Sequence, residues 1–349
     1  MASFRVTTGM TLNTYRYNLM KTTNQLVNAQ DTVTSGRKFS SYADDPGGAT
    51  QAFGLRRDLY RTSSYISNTT FTIQKFQTSW TAMGTVVDKL GLTAKDAIEV
   101  GLNEPTGSGI QPLGVVLQET AESMVQTLNL KYGDHYCFNG NDGLNAPFTW
   151  DEESGNLLYR GVNVNAEPGT EDYAKLVSMS GQNEQNFIDI GVGLEESAGT
   201  NDLIESTAFN NSISGIDFLG FGVDEDGDPL NLVSIVKQIG DIYAASDPNS
   251  GEIEPEDRET VERLFDKFNA SLAASTSEYV ELDAKQEYLL ANESRLTESA
   301  DLINEQIASI ENEDPAAAIL NLSWQQYVYN ATLSIGTQLL GQSLIDYMR

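Results

Sequence analysis

Four stretches of the chain repeat apolar positions in steps of three and four, the spacing of helices that bury one stripe. The first runs Leu12, Tyr15, Leu19, Thr22, Leu26, Ala29, Val33. The second runs Ala52, Leu55, Leu59, Thr62, Ile66, Thr69, Ile73, Phe76, Trp80, Met83, Val87, Leu90, Ala94, Ala97 without a break. The third begins after residue 255 and runs Val261, Phe265, Phe268, Leu272, Ser275, Tyr279, Leu282, Gln286, Leu289, Glu293, Leu296, Ala300, Ile303, Ile307, Ile310. The fourth covers 319–347, with Leu322, Tyr329, Leu333 and Leu340 on one face. Trp324, Val328, Ala331, Ile335 and Leu339 form a second apolar stripe there, so more than one side of that helix needs cover. The order is short helix, long helix, middle, long helix, short helix. The long pair spans about 46 and 50 residues, or roughly 69 and 75 Å at helical rise.

Similar lengths on either side of an inserted middle predict antiparallel pairing. The expected fold is mainly α: a long antiparallel coiled-coil-like helical rod built from paired N- and C-terminal segments, with an inserted β-rich middle domain. Three parts follow. Residues 1–42 and 314–349 are terminal helices, 43–133 and 215–313 a helical rod domain, and 134–214 an acidic β-rich outer domain. The breaks between short and long helices match each other: Asp44-Asp45-Pro46 and Glu313-Asp314-Pro315. Asp caps free backbone N–H groups, and Pro fits the first helical position. Gly36, Asp44, Asp45, Pro46, Asp314 and Pro315 are the expected hinge and cap residues.

The middle changes character. A helix is expected over 113–130 and another over 230–243. Between them Tyr136-Cys137-Phe138, Phe148-Thr149-Trp150, Leu157-Leu158-Tyr159 and Phe187-Ile188-Asp189-Ile190 read as strands separated by Gly, Asn and Asp turns.

Charge sharpens the division. The chain carries 21 basic and 50 acidic residues, net −29, which argues against nucleic acid as partner. Residues 132–260 hold 26 acids and 4 bases, a self-repelling, solvated surface. Residues 315–345 hold no charge at all. No apolar run reaches the ~18 residues of a membrane span, so no membrane insertion is expected. The start, MASFRVTTGM, lacks the apolar core of a cleaved signal peptide, so any export uses another route.

Candidate chemistry is sparse. One cysteine, Cys137, and one histidine, His135, leave neither a disulfide framework nor a His- or Cys-rich metal site. Asp224-Glu225-Asp226-Gly227-Asp228 looks like a calcium loop, but its glycine is out of register and Ile235 occupies the twelfth position. It reads as an acidic turn. Glu152-Glu153 and Glu195-Glu196 are the paired carboxylates expected by chance in so acidic a segment. The sequons at Asn68, Asn269 and Asn330 lie in expected helix. No catalytic, cofactor or metal residue is assigned, and the chain is expected not to be an enzyme. A displayed enzyme or glycan binder is the different-class alternative. Its discriminator would be a middle-domain pocket holding convergent, pKa-shifted carboxylates.

The terminal helices are the informative part. Thr22, Ala29 and Gly336 are poor core residues, and short helices with so weak a seam are marginal alone. An assembly interface is therefore expected at Leu12, Leu19, Leu26, Val33, Leu322, Tyr329, Leu333 and Leu340, with these ends ordering on assembly.

Several local stretches match a known pattern. Thr34-Ser35-Gly36-Arg37-Lys38-Phe39 before Asp44-Asp45-Pro46, Tyr132 to Gly140 leading to Ala146-Pro147-Phe148, Tyr159-Arg160-Gly161, and the ending Ser343-Leu344-Ile345-Asp346-Tyr347-Met348-Arg349 recur in one order. Together they resemble the bacterial axial flagellar proteins, and most of all the hook-associated protein type 3, or hook–filament junction, family. Leu12-Asn13-Thr14-Tyr15-Arg16 is similar to flagellin, the alternative. Pro46 and the Ala146-Pro147-Phe148 segment favour the junction family. The resemblance implies an extracellular structural subunit in the bacterial flagellum, exported by the flagellar type III apparatus. It implies a homo-oligomeric ring, with hook-associated protein type 1 and flagellin as axial neighbours. It also implies an export chaperone on the C-terminal helix, no cofactor and no catalysis.

Overall fold

Nine α-helices and seven short strands are described in the computed structural model, which covers residues 8–103, 109–151, 153–196, 203–204, 207–246 and 253–347, with backbone alone for residue 8 and for 339–347. The helices are α1 (Thr8–Ser35), α2 (Pro46–Gly84), α3 (Leu92–Asn103), α4 (Ile110–Leu128), α5 (Glu171–Met179), α6 (Gly215–Leu219), α7 (Leu232–Ala245), α8 (Pro255–Glu311) and α9 (Pro315–Tyr347). A π-helical segment, Thr85–Gly91, joins α2 to α3 without a break. The strands are β1 (Lys131–Tyr132), β2 (His135–Tyr136), β3 (Phe148–Trp150), β4 (Leu157–Tyr159), β5 (Val162–Asn163), β6 (Phe187–Ile188) and β7 (Phe209–Asn210). They form three antiparallel sheets in the orders β1-β2, β3-β4-β5 and β6-β7. The fold is mainly helical, with long helices at both ends of the chain and small antiparallel sheets in the middle. The chain divides into two units, Met1–Ser63 with Glu298–Arg349 and Ser64–Thr297, so the division falls inside α2 and α8 rather than at the Asp-Pro breaks.

In the Ser64–Thr297 unit the long stripes of the sequence become the seam between α2 and α8. Thr70 Oγ1 donates to Glu293 Oε1 at 2.5 Å, Gln286 reaches Gln77, and Trp80 stacks on Tyr279 with centroids 5.1 Å apart. As the α2 numbers rise the α8 numbers fall, which is antiparallel pairing. No position of the two long stripes is exposed in either unit. Polar members of the stripe satisfy themselves: buried Thr69 bonds the Tyr65 carbonyl, and Ser275 Oγ donates to Phe218 O at 2.6 Å. The π-helical turn was not foreseen from the spacing. Its wider winding brings Val86, Val87 and Gly91 into the core together, and a Cβ on Gly91 would lie 2.8 Å from Leu272.

Helices α4 and α7 close on each other through two glycines. A Cβ on Gly114 would lie 2.5 Å from the Ala244 nitrogen and 2.7 Å from the Gly240 carbonyl oxygen. Buried Tyr243 on α7 sits over Gly101 and donates to the Ile98 carbonyl at 3.0 Å. Asn231 caps α7, accepting from the Val233 and Ser234 amides, both at 3.1 Å. The expected helices at 113–130 and 230–243 are thus α4 and α7, displaced by two or three residues.

Two strand expectations, Phe148–Trp150 and Leu157–Tyr159, match the structure residue for residue. The hairpin between β4 and β5 turns at Arg160 and Gly161, with φ of 51° and 80°, the two-residue turn that follows strand twist. Arg160 tolerates this conformation because Glu184 holds its guanidinium at 2.6 Å. The strand expected at 136–138 stops at Tyr136: Cys137 and Phe138 turn inward and are buried. Helix α5 was not expected. Its start was readable, because Thr170 accepts from the Tyr173 amide at 3.3 Å and Glu171 and Asp172 occupy the first turn.

Asp224, Asp226 and Asp228 converge with their carboxylates within 4.8 Å of one another, and the ammonium of Lys267 from α8 sits among them. Arg263 adds a two-pronged contact to buried Asp228, at 2.7 and 3.2 Å. A lysine stands where a loop of this composition would hold a cation, so the loop is tied to α8 by the chain's own charges. The Arg263 hydrogen bonds hold the Asp228 carboxyl below the usual range, with Lys267 adding to them, and Lys267 does the same for Asp224. Carboxyls lowered in this way stabilise the fold at neutral pH, and that stability is lost as pH falls through their folded values. Lys267→Met is expected to cost about 2–3 kcal/mol in urea unfolding at pH 7. The deficit should shrink as the pH is lowered below 4.

Candidate assembly surface

In the Met1–Ser63 and Glu298–Arg349 unit, α1 lies along α9. Leu12, Tyr15, Leu19, Leu26 and Val33 are half-buried, and Thr22 and Ala29 are buried. The small residues have a geometric reason: a Cβ on Gly336 would lie 2.0 Å from the Tyr15 hydroxyl, so the ring rests on the bare backbone of α9. On α9 the covered positions are Ala318, Leu322, Gln325, Val328, Tyr329, Ala331, Thr332 and Gly336. Leu333 is 38% exposed, and the side chain of Leu340 lies outside the described residues.

The two breaks are zipped together. Arg37 and Asn312 form an antiparallel bridge; the Lys38 amide donates to Glu311 O at 2.7 Å and the Glu313 amide to Gly36 O at 2.9 Å. Gly36 ends α1 with φ +70°, a conformation glycine adopts at little cost. Asp45 accepts from the Gly47 and Gly48 amides at 3.1 and 3.0 Å, ahead of Pro46. Asp314 accepts from the Ala316 amide at 2.9 Å, ahead of Pro315. Asp44 does different work: it accepts from the Ser41 amide at 3.0 Å and closes the preceding turn. Arg56 on α2 pairs with Glu311 at 2.6 Å, tying both long helices together beside the bridge.

Pairing α1 with α9 leaves large apolar side chains open on both helices, among polar neighbours. Met10, Tyr17, Met20 and Val27 on α1 are 46–70% exposed. On α9, Ile319, Leu320, Trp324, Tyr327 and Ile335 are 54–71% exposed, and the Trp324 and Tyr327 rings lie 5.8 Å apart. Leu320, Trp324 and Tyr327 are at i, i+4 and i+7, one continuous stripe. No charged residue interrupts α9 before Asp346. Exposed apolar surface of this extent marks an interaction face. The sequence reading named interface positions on both helices; Leu12, Leu19, Leu26, Val33, Leu322 and Tyr329 are half-buried, whereas of its second α9 stripe Trp324 and Ile335 are open and Val328 and Ala331 are covered.

The other candidates sit elsewhere. His135 is exposed, and Cys137 is buried, its thiol pushed up by burial. Glu153, Glu195 and Glu196 are exposed, and Glu152 falls outside the described residues. A cleft of about 640 Å³ in the Ser64–Thr297 unit is lined by Asp217, Glu278, Glu281, Lys285 and Ser212 among others. Asp217 accepts from the Gly181 amide at 2.6 Å, and burial raises its carboxyl above the usual range. Glu278 is raised by burial, then by Glu281 and Asp217. A carboxyl raised in the folded state stabilises at low pH and loses that contribution as pH rises through its folded value. Glu278→Gln is therefore expected to raise the Tm at pH 7 and leave it unchanged near pH 3, read by thermal unfolding at the two pH values. Among the described residues no helix is long and apolar enough to cross a membrane.

Residues 6–105 match the family described as the bacterial flagellin N-terminal helical region. No curated protein matches the chain significantly. Among solved structures, the chain is similar to a putative flagellar hook-associated protein from Vibrio parahaemolyticus, at 14% identity and a TM-score of 0.57, covering 77% of this chain and 100% of that one. It also matches flagellar hook associated protein-3 from Legionella pneumophila, at 12% identity and a TM-score of 0.49, over 73% of this chain and 98% of that one. FlgL from Bacillus cereus matches at 15% identity and a TM-score of 0.46, over 73% and 99%. The chain is therefore flagellin-like over its N-terminal helical region and similar in fold to the Vibrio parahaemolyticus flagellar hook-associated protein.

Proposed function

We propose that this chain is a structural subunit of the bacterial flagellum that forms the junction between hook and filament. The observation that carries the reading is α9, uncharged over 315–345, paired with α1 inside the chain and open at Ile319, Leu320, Trp324, Tyr327 and Ile335. Copies pack these faces into the wall of a ring, where α1 and α9 gain the cover that a single chain does not supply. Residues 1–42 and 314–349 are then the assembly part, 43–133 and 215–313 the stiff helical part, and 134–214 the acidic outer part that limits lateral sticking. The bridged segments around Gly36 and Asp314 set the angle between the terminal helices and the long ones. Hook-associated protein type 1 and flagellin are the axial neighbours, an export chaperone covers α9 before assembly, and the finished subunit lies outside the cell. The reading needs no cofactor. Cells lacking the chain are expected to carry bare hooks and to release flagellin into the medium; filaments of normal length on such cells would contradict it.

A second reading, a glycan binder or enzyme displayed on the same scaffold, is favoured by the Asp217–Glu278–Glu281 cleft. Against it, Asp217 is committed to the Gly181 amide and so fixes the 180–183 turn. Binding or hydrolysis of an oligosaccharide by the wild type, lost in Glu278→Gln, would support that reading.

A further inference from the structure

Copies of a chain with net charge −29 repel each other, so a ring needs a local source of complementarity. The Met1–Ser63 and Glu298–Arg349 unit holds one. Residues 1–63 carry 8 of the 21 basic residues against 4 acids, whereas 298–349 carry 7 acids against one base. Part of this imbalance is arranged as two matching stripes. On α2, Phe53 is 75% exposed, and the Arg57 and Arg61 side chains are 69% and 56% exposed, at i, i+4 and i+8. On α8, Glu298, Asp301, Leu302 and Glu305 are all exposed, Leu302 at 59%, at i, i+3, i+4 and i+7. Each stripe is two turns long and holds one large apolar side chain among charges of one dominant sign.

Among the described residues neither stripe finds a full set of opposite charges. Arg57 and Arg61 share the single carboxylate of Asp58, at 3.7 and 3.5 Å, both exposed pairs of the weak kind. Among the described residues Glu298, Asp301 and Glu305 have no basic partner within 4.0 Å. The stripes also point apart. Ala52, Leu55, Leu59 and Thr62 form the covered face of α2, and Ser299, Ile303, Ile307 and Ile310 that of α8. At ~100° per residue each charged stripe lies roughly opposite its own covered face. The two therefore sit on opposite sides of the α2–α8 pair, the arrangement a head-to-tail contact requires if it is to repeat around a closed ring.

We infer that the Phe53–Arg57–Arg61 stripe of one copy docks on the Glu298–Asp301–Leu302–Glu305 stripe of a second copy, a lateral contact distinct from the α1 and α9 faces. The inference rests on the assembly reading above and adds the residues that fix the order and handedness of neighbours. The test is a reciprocal charge exchange in the full chain. One variant carries Arg57→Glu and Arg61→Glu; the other carries Glu298→Lys, Asp301→Lys and Glu305→Lys. Self-association is followed by sedimentation, with circular dichroism to show that each variant keeps its helices. Each variant alone should associate at least about tenfold more weakly than wild type, and an equimolar mixture should recover wild-type behaviour, because every new contact then joins opposite charges. The recovery should fade in 1 M salt. Variants that associate as well as wild type, or a mixture no better than its parts, would overturn the stripe contact and leave the terminal-helix reading standing. Failure of the wild type to associate at any concentration would contradict the assembly reading and this inference with it.

Discussion

Gly114→Ala should destabilise the Ser64–Thr297 unit by more than about 3 kcal/mol, although alanine is the better helix former by about 1 kcal/mol. The added methyl would stand 2.5 Å from the Ala244 nitrogen and 2.7 Å from the Gly240 carbonyl oxygen. Both are backbone atoms, so no rotamer change relieves the clash. Helices α4 and α7 would have to separate, loosening Leu117, Leu232, Ile235 and Ile239, all fully buried. Gly54 on α2 provides the control, because its Cβ would meet nothing within 4 Å. Gly54→Ala should stabilise by about 0.5–1 kcal/mol. Urea titrations of the two variants should therefore move in opposite directions from wild type. A Gly114→Ala protein as stable as wild type would show that the α4–α7 approach is looser than the structure has it.

The second large effect belongs to the open face of α9. Trp324→Asp should leave monomer unfolding within about 0.5 kcal/mol of wild type, because the residue is 62% exposed and, among the described residues, its ring pairs with that of Tyr327. It should cost about 2–4 kcal/mol at each contact between copies, enough to stop polymerisation. Leu19→Asp should differ in kind. Leu19 is half-buried against α9, so a carboxylate there unpairs the terminal helices in the monomer as well as blocking assembly. Leu333→Asp, at a site 38% exposed, should fall between the two. Comparing helicity with polymer yield for the three variants separates the inner seam from the outer face.

How far the sequence reveals this fold depends on what each residue reports. Stripes spaced by three and four report burial directly, so α2 and α8 were legible nearly residue by residue, including the polar members Thr69 and Ser275. Asp before Pro reports a helix start, and Asp45 and Asp314 are caps. Asp44 shares the motif but closes the turn before it, a distinction that rests on one hydrogen bond and leaves no trace in spacing. Close approaches are equally silent. Gly336 looks like a weak point in a helix until Tyr15 is seen lying on it, and Gly114 reads as an ordinary glycine until α7 arrives. The π-helical turn preserves the apolar spacing while changing its winding, so periodicity does not detect it. On α9 the apolar residues go all round the helix, and pattern alone does not divide the face against α1 from the face left open. The cleft at Asp217 and Glu278 joins residues 61 positions apart in a segment crowded with acids, where no local spacing marks them.

As proposed, copies of this chain form one ring in a larger axial assembly, held by faces a single copy leaves uncovered. Fluorescent labelling of the chain on whole cells tests it most directly. One band is expected at the base of each filament, where hook and filament meet. Label along the whole filament would make the chain a flagellin instead, and label absent from flagella would rule out a flagellar role altogether.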